Sequence, residues 1–455
     1  MSNKPKIIVL DDDPTGSQTV HSCLLLMRWD VDTLRIGLQD DSPIFFVLTN
    51  TRSLTAESAA SVTREVCQNL KIALQAEGID DFLIVSRSDS TLRGHYPIET
   101  DAIAQELGPF DAHFLVPGFF VGEASRREGG RITRDSVHYL IVGGVPIPVH
   151  ETEFARDSVF SYHHSYLPKY VEEKTKGQIQ AEAVQRFLLA DIRSGSLERL
   201  LKLSNNQCAV VDGETQADLN GFALDVLTAV SRGKRFLFRS AASILTALAA
   251  LPPQPIAAEN MAQYVRQKKP GVVIVGSHVK KTTQQLEALL QVEGTVGIEV
   301  DVARLLDNQT NQSAVLLQEI QESTRLIHEA GKTPVVYTSR QELNFQDVKT
   351  RLDFGVKVSA LLMDIVRSLP SDIGFLISKG GITSNDVLST GLALTSARLL
   401  GQILPGCSMV LTPSNHPQFP DLPVVLFPGN VGDTDALGTI YQRLTKTVFS
   451  DNARE

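Results

Sequence analysis

Short apolar runs alternate with longer amphipathic stretches along the first half of the chain. Four of these runs are predicted to be buried strands, and each stops at a polar or glycine-containing turn: Lys6–Leu10, Ile44–Leu48, Phe82–Val85 and Phe114–Val116. Between the second and third runs, apolar residues recur at steps of three and four from Ala59 to Ala73, which is typical of one helix face. Strands that alternate with helices predict a parallel α/β sheet, in which ligands bind at the carboxyl ends of the strands.

The second half repeats the pattern after a proline-rich segment. Leu251–Pro255 carries three prolines in four positions and cannot continue a helix or a central strand, so it is the predicted linker. Four further runs end at polar turns: Gly271–Val275, Val335–Tyr337, Phe375–Ile377 and Val424–Phe427. The sequence therefore predicts two α/β domains, residues 1–250 and 256–455. Each has a largely parallel sheet flanked by helices, and the active site is expected in the cleft between the domains.

Composition narrows the class of protein. The 455 residues include 43 Lys and Arg against 52 Asp and Glu, a net charge of −9, so neither a nucleic acid nor a membrane is an expected partner. The four cysteines form no CxxC pair, which indicates a reducing compartment. No secretory segment is recognisable, and no apolar run approaches the roughly 18 residues needed to cross a bilayer. We expect a cytoplasmic protein.

Three aspartates follow the first predicted strand, in the segment Asp11-Asp12-Asp13-Pro14-Thr15-Gly16. Adjacent carboxylates repel one another and need a metal, cationic side chains or hydroxyls close by. The cluster is suited to substrate binding, proton abstraction or Mg²⁺ coordination. An acidic turn that caps the next helix is the structural alternative.

A second polar segment, Ser86–Gly94, follows the third predicted strand and reads Ser-Arg-Ser-Asp-Ser-Thr-Leu-Arg-Gly. Arginine can bind a carboxylate with two hydrogen bonds, while aspartate and hydroxyl side chains can bind sugar hydroxyls. Arg52, at the end of another predicted strand, can converge on the same pocket. An anionic polyol is the matching substrate.

The predicted second domain contains three glycine-bearing turns: Gly276-Ser277, Lys379–Ser384 and Gly429–Gly432. Glycine allows backbone N–H groups to approach phosphate oxygens closely. The chain has neither GxxxxGK[ST] nor a proper GxGxxG, so Walker-type and Rossmann dinucleotide sites lack support. The three turns together favour a nucleotide site of another kind.

These motifs together resemble the four-carbon acid sugar kinase family, which phosphorylates threonate, erythronate and 3-oxo-tetronate with ATP. The family's Asp-Ser-Thr-Leu-Arg-Gly is intact at Asp89–Gly94, and its Asp-Asp-Phe-Thr-Gly is matched by Asp12–Gly16 with proline in place of phenylalanine. Lys379–Ser384 is similar to its Lys-Gly-Gly-x-Thr-Ser, and Gly429–Gly432 to its Gly-Asn-Phe-Gly. Phe427-Pro428 stands where the family often has Lys-Ser. The resemblance covers nearly the whole chain.

The resemblance implies an N-terminal acid-sugar domain, a C-terminal ATP domain, and Mg²⁺ to accompany the phosphates, with metal ligands unassigned. It implies that Asp12 or Asp13 accepts the proton from the attacking hydroxyl. The implied substrate-binding residues are Arg52, Asp89, Ser90, Thr91 and Arg93. The implied nucleotide-binding residues are Ser277, Gly380, Gly381, Ile382, Thr383, Gly429 and Asn430. A homodimer is compatible with this interpretation.

Two other functions stay open at the level of sequence. Asp11-x-Asp13-x-Thr15 also fits the DxDxT pattern of aspartyl-phosphate phosphatases, whose first aspartate is the nucleophile, here acting on a phosphorylated acid sugar. Lys379 and Asp433 could then be the later motifs of that class. The third hypothesis is a non-catalytic sensor that closes on an acid sugar.

Overall fold

The computed structural model of the chain describes residues 4–120, 128–306, 312–341, 343, 345, 347–429 and 431–446. The chain divides into two compact units, Met1–Pro253 and Gln254–Glu455. Each is an α/β unit with a mostly parallel sheet, which confirms the predicted fold class. Within the described ranges, no helix has both the length and the apolar character that a membrane span requires.

The N-terminal unit contains an eight-stranded parallel sheet with the order β2-β3-β1-β4-β11-β5-β10-β9. Its strands are β1 (Lys6–Asp11), β2 (Leu24–Leu26), β3 (Ile44–Leu48), β4 (Phe82–Arg87), β5 (Ala112–Val116), β9 (Gln185–Phe187), β10 (Gln207–Val211) and β11 (Phe236–Ser240). The central strands are buried on both faces, which explains why they are continuous apolar runs rather than alternating ones. A separate antiparallel sheet comprises β6 (Arg131–Arg134), β7 (Val137–Val142) and β8 (Val145–Pro148).

Eight helices accompany these strands in the described part of the N-terminal unit: α1 (Val31–Gln39), α2 (Ala56–Glu77), α3 (Ile98–Leu107), α4 (Leu167–Lys174), α5 (Leu189–Ser194), α6 (Leu197–Lys202), α7 (Gln216–Val230) and α8 (Ser243–Ala249). Helix α2 contains the apolar periodicity seen in the sequence. It begins after Thr55, whose side chain accepts a hydrogen bond from the Ser58 N–H, and ends at Gly78 in a left-handed conformation. Its buried face packs on the core beside β1 and β3.

The C-terminal unit has a seven-stranded sheet with the order β13-β14-β12-β15-β18-β17-β16. The strands are β12 (Val272–Val275), β13 (Thr295–Val300), β14 (Thr333–Thr338), β15 (Leu376–Lys379), β16 (Ser396–Leu404), β17 (Cys407–Leu411) and β18 (Pro423–Phe427). The first five in this order are parallel, whereas β17 runs antiparallel to both of its neighbours. The helices are α9 (Lys280–Leu289), α10 (Gln312–Glu329), α11 (Val348–Arg367), α12 (Gly381–Asp386) and α13 (Ala436–Thr445).

Three strands extend further into the polar motifs than the apolar runs suggest. Asp11 is the last residue of β1, Arg87 the last of β4 and Lys379 the last of β15. Their backbones are therefore fixed by ladder hydrogen bonds. The following residues leave the sheets from defined positions, which sets where the candidate site residues can point.

Candidate active site

Four neighbouring strands of the N-terminal unit end in a single polar network. In the parallel register Asp11 lies beside Leu48 on one side and Arg87 on the other, and Arg87 lies beside Ser240. The polar residues that follow β1, β3 and β4 therefore leave the sheet at one edge. The structure brings together Asp12, Asp13, Arg52, Asp89 and Arg93, as the sequence analysis expects of converging strand ends.

Asp12 and Arg52 form the centre of this network. The Arg52 Nη2 and Nε atoms lie 2.5 and 3.1 Å from the two carboxylate oxygens of Asp12, a bidentate geometry. The Ser88 hydroxyl donates to the same carboxylate at 2.7 Å. The Asp12 side chain is only 3% exposed, so both of its oxygens are committed to partners within the protein.

A further arginine, Arg239, supports this centre through hydrogen bonds. The sequence analysis does not assign it to the site. Arg239, in β11, donates from Nη2 to the Ser88 hydroxyl at 2.7 Å and from Nη1 to Glu99 at 2.6 Å. Glu99 lies in the first turn of α3 and also accepts from the Thr51 hydroxyl at 2.5 Å. A charged residue directly after the apolar run Phe236–Phe238 of this strand is the sequence signal that could have identified Arg239.

Asp11 differs from the two aspartates that follow it, because its side chain is fully buried. Its Oδ1 is 3.4 Å from Arg87 Nη1, and its Oδ2 has no hydrogen-bond partner among the described residues. Burial raises the pKa of the Asp11 carboxyl to about 8, and Arg87 only partly opposes this shift. Burial therefore favours the protonated form of Asp11 and encloses the group, a poor arrangement for the nucleophile of a phosphatase.

Asp13 is more accessible and is ionised. Its Oδ1 accepts from the Thr15 N–H at 2.8 Å and from the Thr15 hydroxyl, while its Oδ2 lies 3.5 Å from Arg52 Nη1. Burial alone would raise the pKa of Asp13, but Arg52, Arg87 and Thr15 outweigh it and hold the pKa below its usual value. With 23% of its side chain exposed, Asp13 is better placed than Asp12 to meet a substrate hydroxyl.

Asp89 organises the loop that carries the intact Asp-Ser-Thr-Leu-Arg-Gly motif. Its Oδ2 accepts from the Thr91 N–H at 3.1 Å, from the Thr91 hydroxyl, and from Arg93 Nε at 2.9 Å. Although burial opposes ionisation, Arg52 and Arg93 keep the pKa of Asp89 well below its usual range. The Arg93 guanidinium also lies 5.0 Å from the Phe154 ring centroid and 3.5 Å from Asp157, which fixes its orientation.

Three successive carbonyl groups of this loop are bound by side chains from residues 138–170. His138 Nε2 donates to the Ser90 carbonyl at 2.8 Å, and the hydroxyls of Tyr162 and Tyr170 donate to the carbonyls of Thr91 and Leu92 at 2.7 and 2.8 Å. Burial lowers the pKa of His138 to about 4, so the ring is neutral and its Nδ1 accepts from the Thr133 hydroxyl. The loop backbone is thus held independently of any ligand.

Gly94 ends the loop where a larger residue would not fit. Its φ of 124° lies in the region that L side chains rarely adopt. A Cβ at this position would lie 2.4 Å from the Ser88 hydroxyl and 2.5 Å from Arg239 Nη2. Glycine therefore lets the loop close directly over the Ser88–Arg239 hydrogen bond.

The glycine-bearing turns of the C-terminal unit also meet at strand ends. Ser277 follows β12 and its N–H donates to the Lys379 carbonyl at 3.4 Å, while the Gly380 N–H donates to the Phe427 carbonyl at 2.8 Å. The Thr282 hydroxyl lies 3.2 Å from both the Ser277 hydroxyl and the Gly429 carbonyl. Three predicted nucleotide-binding positions, Ser277, Gly380 and Gly429, are thus neighbours.

Lys379 supports this group of turns from inside the unit. It is fully buried, and its Nζ donates to the carbonyls of Pro428 and Gly429 at 2.6 and 3.2 Å. The same ammonium lies 3.8 Å from the Phe427 ring centroid. Burial lowers the pKa of Lys379 to about 7. This lysine shapes the Gly429 turn through the backbone.

The remaining predicted nucleotide-binding residues begin α12. Thr383 is buried, whereas the Ile382 side chain is 68% exposed beside Gly381. Gly380 has a φ of 121°, and a Cβ there would lie 3.0 Å from the Ser277 Cβ. The close approach of the two turns therefore depends on glycine. Asn430 lies outside the described residues.

The predicted Mg²⁺ has no preformed protein site in the described ranges, where no group of three or more His, Cys, Asp or Glu side chains is arranged for a metal ion. Asp12, Asp13 and Asp89 are paired with arginines instead. Mg²⁺ commonly binds through one or two carboxylates together with substrate phosphates, and this chemistry does not require a protein cage.

Comparisons with known proteins give a consistent result. Residues 7–248 match the family described as a sugar-binding N-terminal domain, and residues 272–437 match that described as a nucleotide-binding C-terminal domain. The D-erythronate kinase of Heliobacterium modesticaldum is 25% identical, with 99% of both chains covered. The D-threonate kinase of Salmonella typhimurium is 24% identical, with 95% of this chain and 96% of that protein covered.

Solved structures share the fold. A Salmonella typhimurium LT2 protein aligns with a TM-score of 0.69 and 18% identity over 97% of this chain and 98% of its own. A Haemophilus influenzae protein aligns with a TM-score of 0.62 and 19% identity over 96% of this chain and 100% of its own.

Proposed function

The chain belongs to the four-carbon acid sugar kinase family, which combines a sugar-binding N-terminal domain with a nucleotide-binding C-terminal domain, and from this premise we propose that it phosphorylates a hydroxyl of a small acid sugar with ATP. The named substrates of two relatives, D-erythronate and D-threonate, are the first candidates. The observation that carries the proposal is the convergence of Asp12, Asp13, Arg52, Asp89 and Arg93 at one sheet edge.

The arrangement of charges supports binding of an anionic polyol. Arg52 and Arg93 both pair with Asp89, and each is partly exposed. We assign the substrate carboxylate to these guanidiniums, because arginine donors match a carboxylate in geometry and charge. Asp89 can then accept from substrate hydroxyls, since its ionised state is secured by the same arginines.

Asp13 is the proposed proton acceptor. It is ionised, more exposed than Asp12, and held by Thr15 in one orientation. As the substrate hydroxyl oxygen bonds to the γ-phosphorus of ATP, its proton passes to Asp13, and the bond from that phosphorus to the bridging oxygen breaks to release ADP. Because phosphoryl transfer depends mainly on positioning and on charge neutralisation, a weak base is sufficient.

The nucleotide phosphates are assigned to the turns at Ser277, Gly380 and Gly429. Backbone groups at these turns approach one another closely. Because Gly380 and Gly429 have no side chains, phosphate oxygens could approach the backbone of the turns. Mg²⁺ would enter with the phosphates and neutralise their charge. The proposal requires the two sites to meet during transfer, as the sequence analysis predicts for a cleft between the domains.

A reaction panel tests this function. Purified protein is incubated with ATP, Mg²⁺ and D-erythronate, D-threonate, 3-oxo-tetronate or longer aldonic acids, and ADP release is measured. We expect ADP formation that depends on one of the acids, and a loss of about 10²–10⁴-fold in kcat for Asp13→Asn. Full turnover by both Asp12→Ala and Asp13→Ala would overturn the assignment.

The same panel distinguishes the alternatives. Acid-dependent ADP release excludes a non-catalytic sensor. The phosphatase hypothesis requires Asp11 as nucleophile, so Asp11→Asn would abolish that activity. In the kinase proposal, a buried carboxyl whose protonated form is favoured can be replaced by asparagine with activity retained. Phosphate release from a phosphorylated acid, without ADP formation from any acid, would favour the phosphatase.

We also propose a cytoplasmic location. All four cysteines are free thiols and all are buried, which is compatible with a reducing compartment where ATP is available.

A further inference from the structure

A cavity of about 460 Å³ opens in the C-terminal unit between α9 and the strands β13 and β14. Its apolar lining includes Leu286 in α9 and Leu290 directly after that helix. Tyr337 and Glu299, which are paired between β14 and β13, also line it. Asp301, Ser339 and Arg340 lie at the carboxyl ends of the two strands, which is the edge where α/β sheets bind ligands.

The cavity exists because the edge strand β13 is uncovered on this face. Gly297 and Glu299, on alternate positions of β13, are both exposed. A Cβ on Gly297 would lie 3.0 Å from Leu290 Cδ2 and 3.2 Å from Tyr337 Cε1. Glycine at this position therefore lets Leu290 and Tyr337 lie close together beside the cavity.

The charged residues that line the cavity indicate which part of a nucleotide it could bind. Three carboxylates line it, from Glu287, Glu299 and Asp301, against the single guanidinium of Arg340. That guanidinium already donates to the Thr338 carbonyl, the Thr338 hydroxyl and the Ser277 carbonyl, at 2.8, 2.6 and 2.6 Å. The interior therefore disfavours a phosphate but suits a neutral ring with amine or hydroxyl donors.

The cavity is next to the turn to which the phosphates are assigned. Arg340 binds the Ser277 carbonyl directly, and Tyr337 pairs with Val275, two residues before Ser277. Two residues of strand correspond to roughly 7 Å. A ligand with its ring on Tyr337 can thus extend from the cavity to the Ser277 turn.

We propose that this cavity binds the nucleoside part of the nucleotide, with the base packed against the apolar lining residues Leu286, Leu290 and Tyr337 and the ribose hydroxyls donating to Glu299 or Asp301. This assignment rests on the proposed kinase function and adds to it the position of the base and ribose. The phosphates then lie outside the acidic cavity, at the Ser277, Gly380 and Gly429 turns.

Two substitutions with different mechanisms test the assignment. Tyr337→Ala removes the ring, and Ala303→Trp fills the cavity from an exposed lining position, where folding should tolerate a large side chain. We expect each to raise the KM for ATP at least tenfold and to leave the KM for the acid within twofold. Inhibition by inorganic triphosphate, which has no nucleoside, should be the same in the wild type and both variants. Glu329→Gln, at the exposed last residue of α10, is the matched surface control.

An unchanged KM for ATP in folded Tyr337→Ala and Ala303→Trp would overturn the assignment, as would a parallel loss of triphosphate inhibition. Adenosine binding, titrated by calorimetry, separates this inference from the proposed function. Adenosine that binds the wild type and not Ala303→Trp supports the nucleoside site even if no acid stimulates ADP release. Equal adenosine binding by both would overturn it even if the enzyme is a kinase.

Discussion

The N-terminal unit builds its candidate site from charged side chains that bind one another, whereas the C-terminal unit uses backbone turns that approach one another at glycines. Asp12, Arg52 and Ser88 are joined by side-chain hydrogen bonds of 2.5–3.1 Å. In the C-terminal unit, Gly380 lies so close to Ser277 that a Cβ would nearly touch it. The first kind of site should be sensitive to changes of charge and side-chain geometry, and the second to added volume at a Cα atom.

The largest effect that we expect is from Arg52→Lys. An ammonium cannot donate to both oxygens of Asp12 while also facing Asp13, so the charge is kept but the geometry is lost. We predict a fall in kcat/KM for the acid of about 10²–10³-fold, with little change in the KM for ATP.

Arg35→Lys is the matched control, because the partly exposed Arg35 forms ion pairs with Asp32 and Glu77, neither of which belongs to the candidate site. Such pairs contribute about 0–1 kcal/mol, and steady-state kinetics should not detect the change. Equal activity of Arg52→Lys and Arg35→Lys would show that the guanidinium geometry at Asp12 is not needed.

The next largest effect tests volume within the charged site. In Gly94→Ala, the new Cβ meets the Ser88 hydroxyl and Arg239, and the backbone is strained at a φ of 124°. Strain of this kind costs about 1–3 kcal/mol, so we expect the kcat/KM for the acid to fall by about 10–100-fold. Gly221→Ala, in α7 with open space around its Cα, should be fully active. Wild-type kinetics for both variants would contradict the close packing of the loop.

Gly380→Ala applies the same test to the C-terminal unit. A methyl group would push the Gly380 and Ser277 turns apart, and we expect the KM for ATP to rise about tenfold while the KM for the acid is unchanged. Gly355→Ala, at an open position in helix α11, should instead stabilise the protein by about 0.5–1 kcal/mol, measured by denaturant unfolding. If Gly380→Ala changed only the KM for the acid, the Gly380 turn would serve acid binding and not nucleotide binding, contrary to the proposed difference between the units.

The smallest effect on activity is expected for Asp11→Asn, because an amide resembles the protonated carboxyl. Stability should respond to pH. Between the ordinary pKa of 3.8 and the raised value of about 8, the folded chain holds a proton that the unfolded chain has released. Asp11 therefore lowers the free energy of unfolding by up to about 1.4 kcal/mol per pH unit as pH rises through this window.

The charged groups that face Asp11 all remain in the variant: Arg87, Arg52, Asp12 and Asp13. The difference in unfolding free energy between the wild type and Asp11→Asn therefore reports on Asp11 alone. Urea unfolding at pH 5.5, 6.5 and 7.5 should show Asp11→Asn gaining stability relative to the wild type at each step. A constant difference would indicate that Asp11 is ionised throughout.

Much of the fold was predictable because its central strands are buried on both faces. Such strands are apolar runs that stop where the sheet stops, and this makes the polar residues of β1, β3 and β4 recognisable as neighbours at one edge. The antiparallel strands β16 and β17 and the small β6–β8 sheet were not predicted, since a short apolar run does not encode the direction of its partner.

The parts of the candidate site that lie in motifs with several polar residues could be predicted. Single residues that join the site from distant positions in the sequence could not. Glu99 is an acidic residue in a first helical turn, where such residues are common for the helix dipole alone. Its contact with Arg239 joins residues 140 positions apart, which no local pattern reveals. The roles assigned to the site residues themselves stay predictions.

The three carbonyls of Ser90, Thr91 and Leu92 are bound by His138, Tyr162 and Tyr170. The loop of residues 86–94 therefore depends for its conformation on the segment that contains His138, Tyr162 and Tyr170. A chimera that exchanges residues 86–94 between relatives without residues 131–174 would carry the motif but lose its shape. Divergence of substrate preference in this lineage should therefore proceed through paired changes in the two segments, and it is in their co-variation that specificity is best sought.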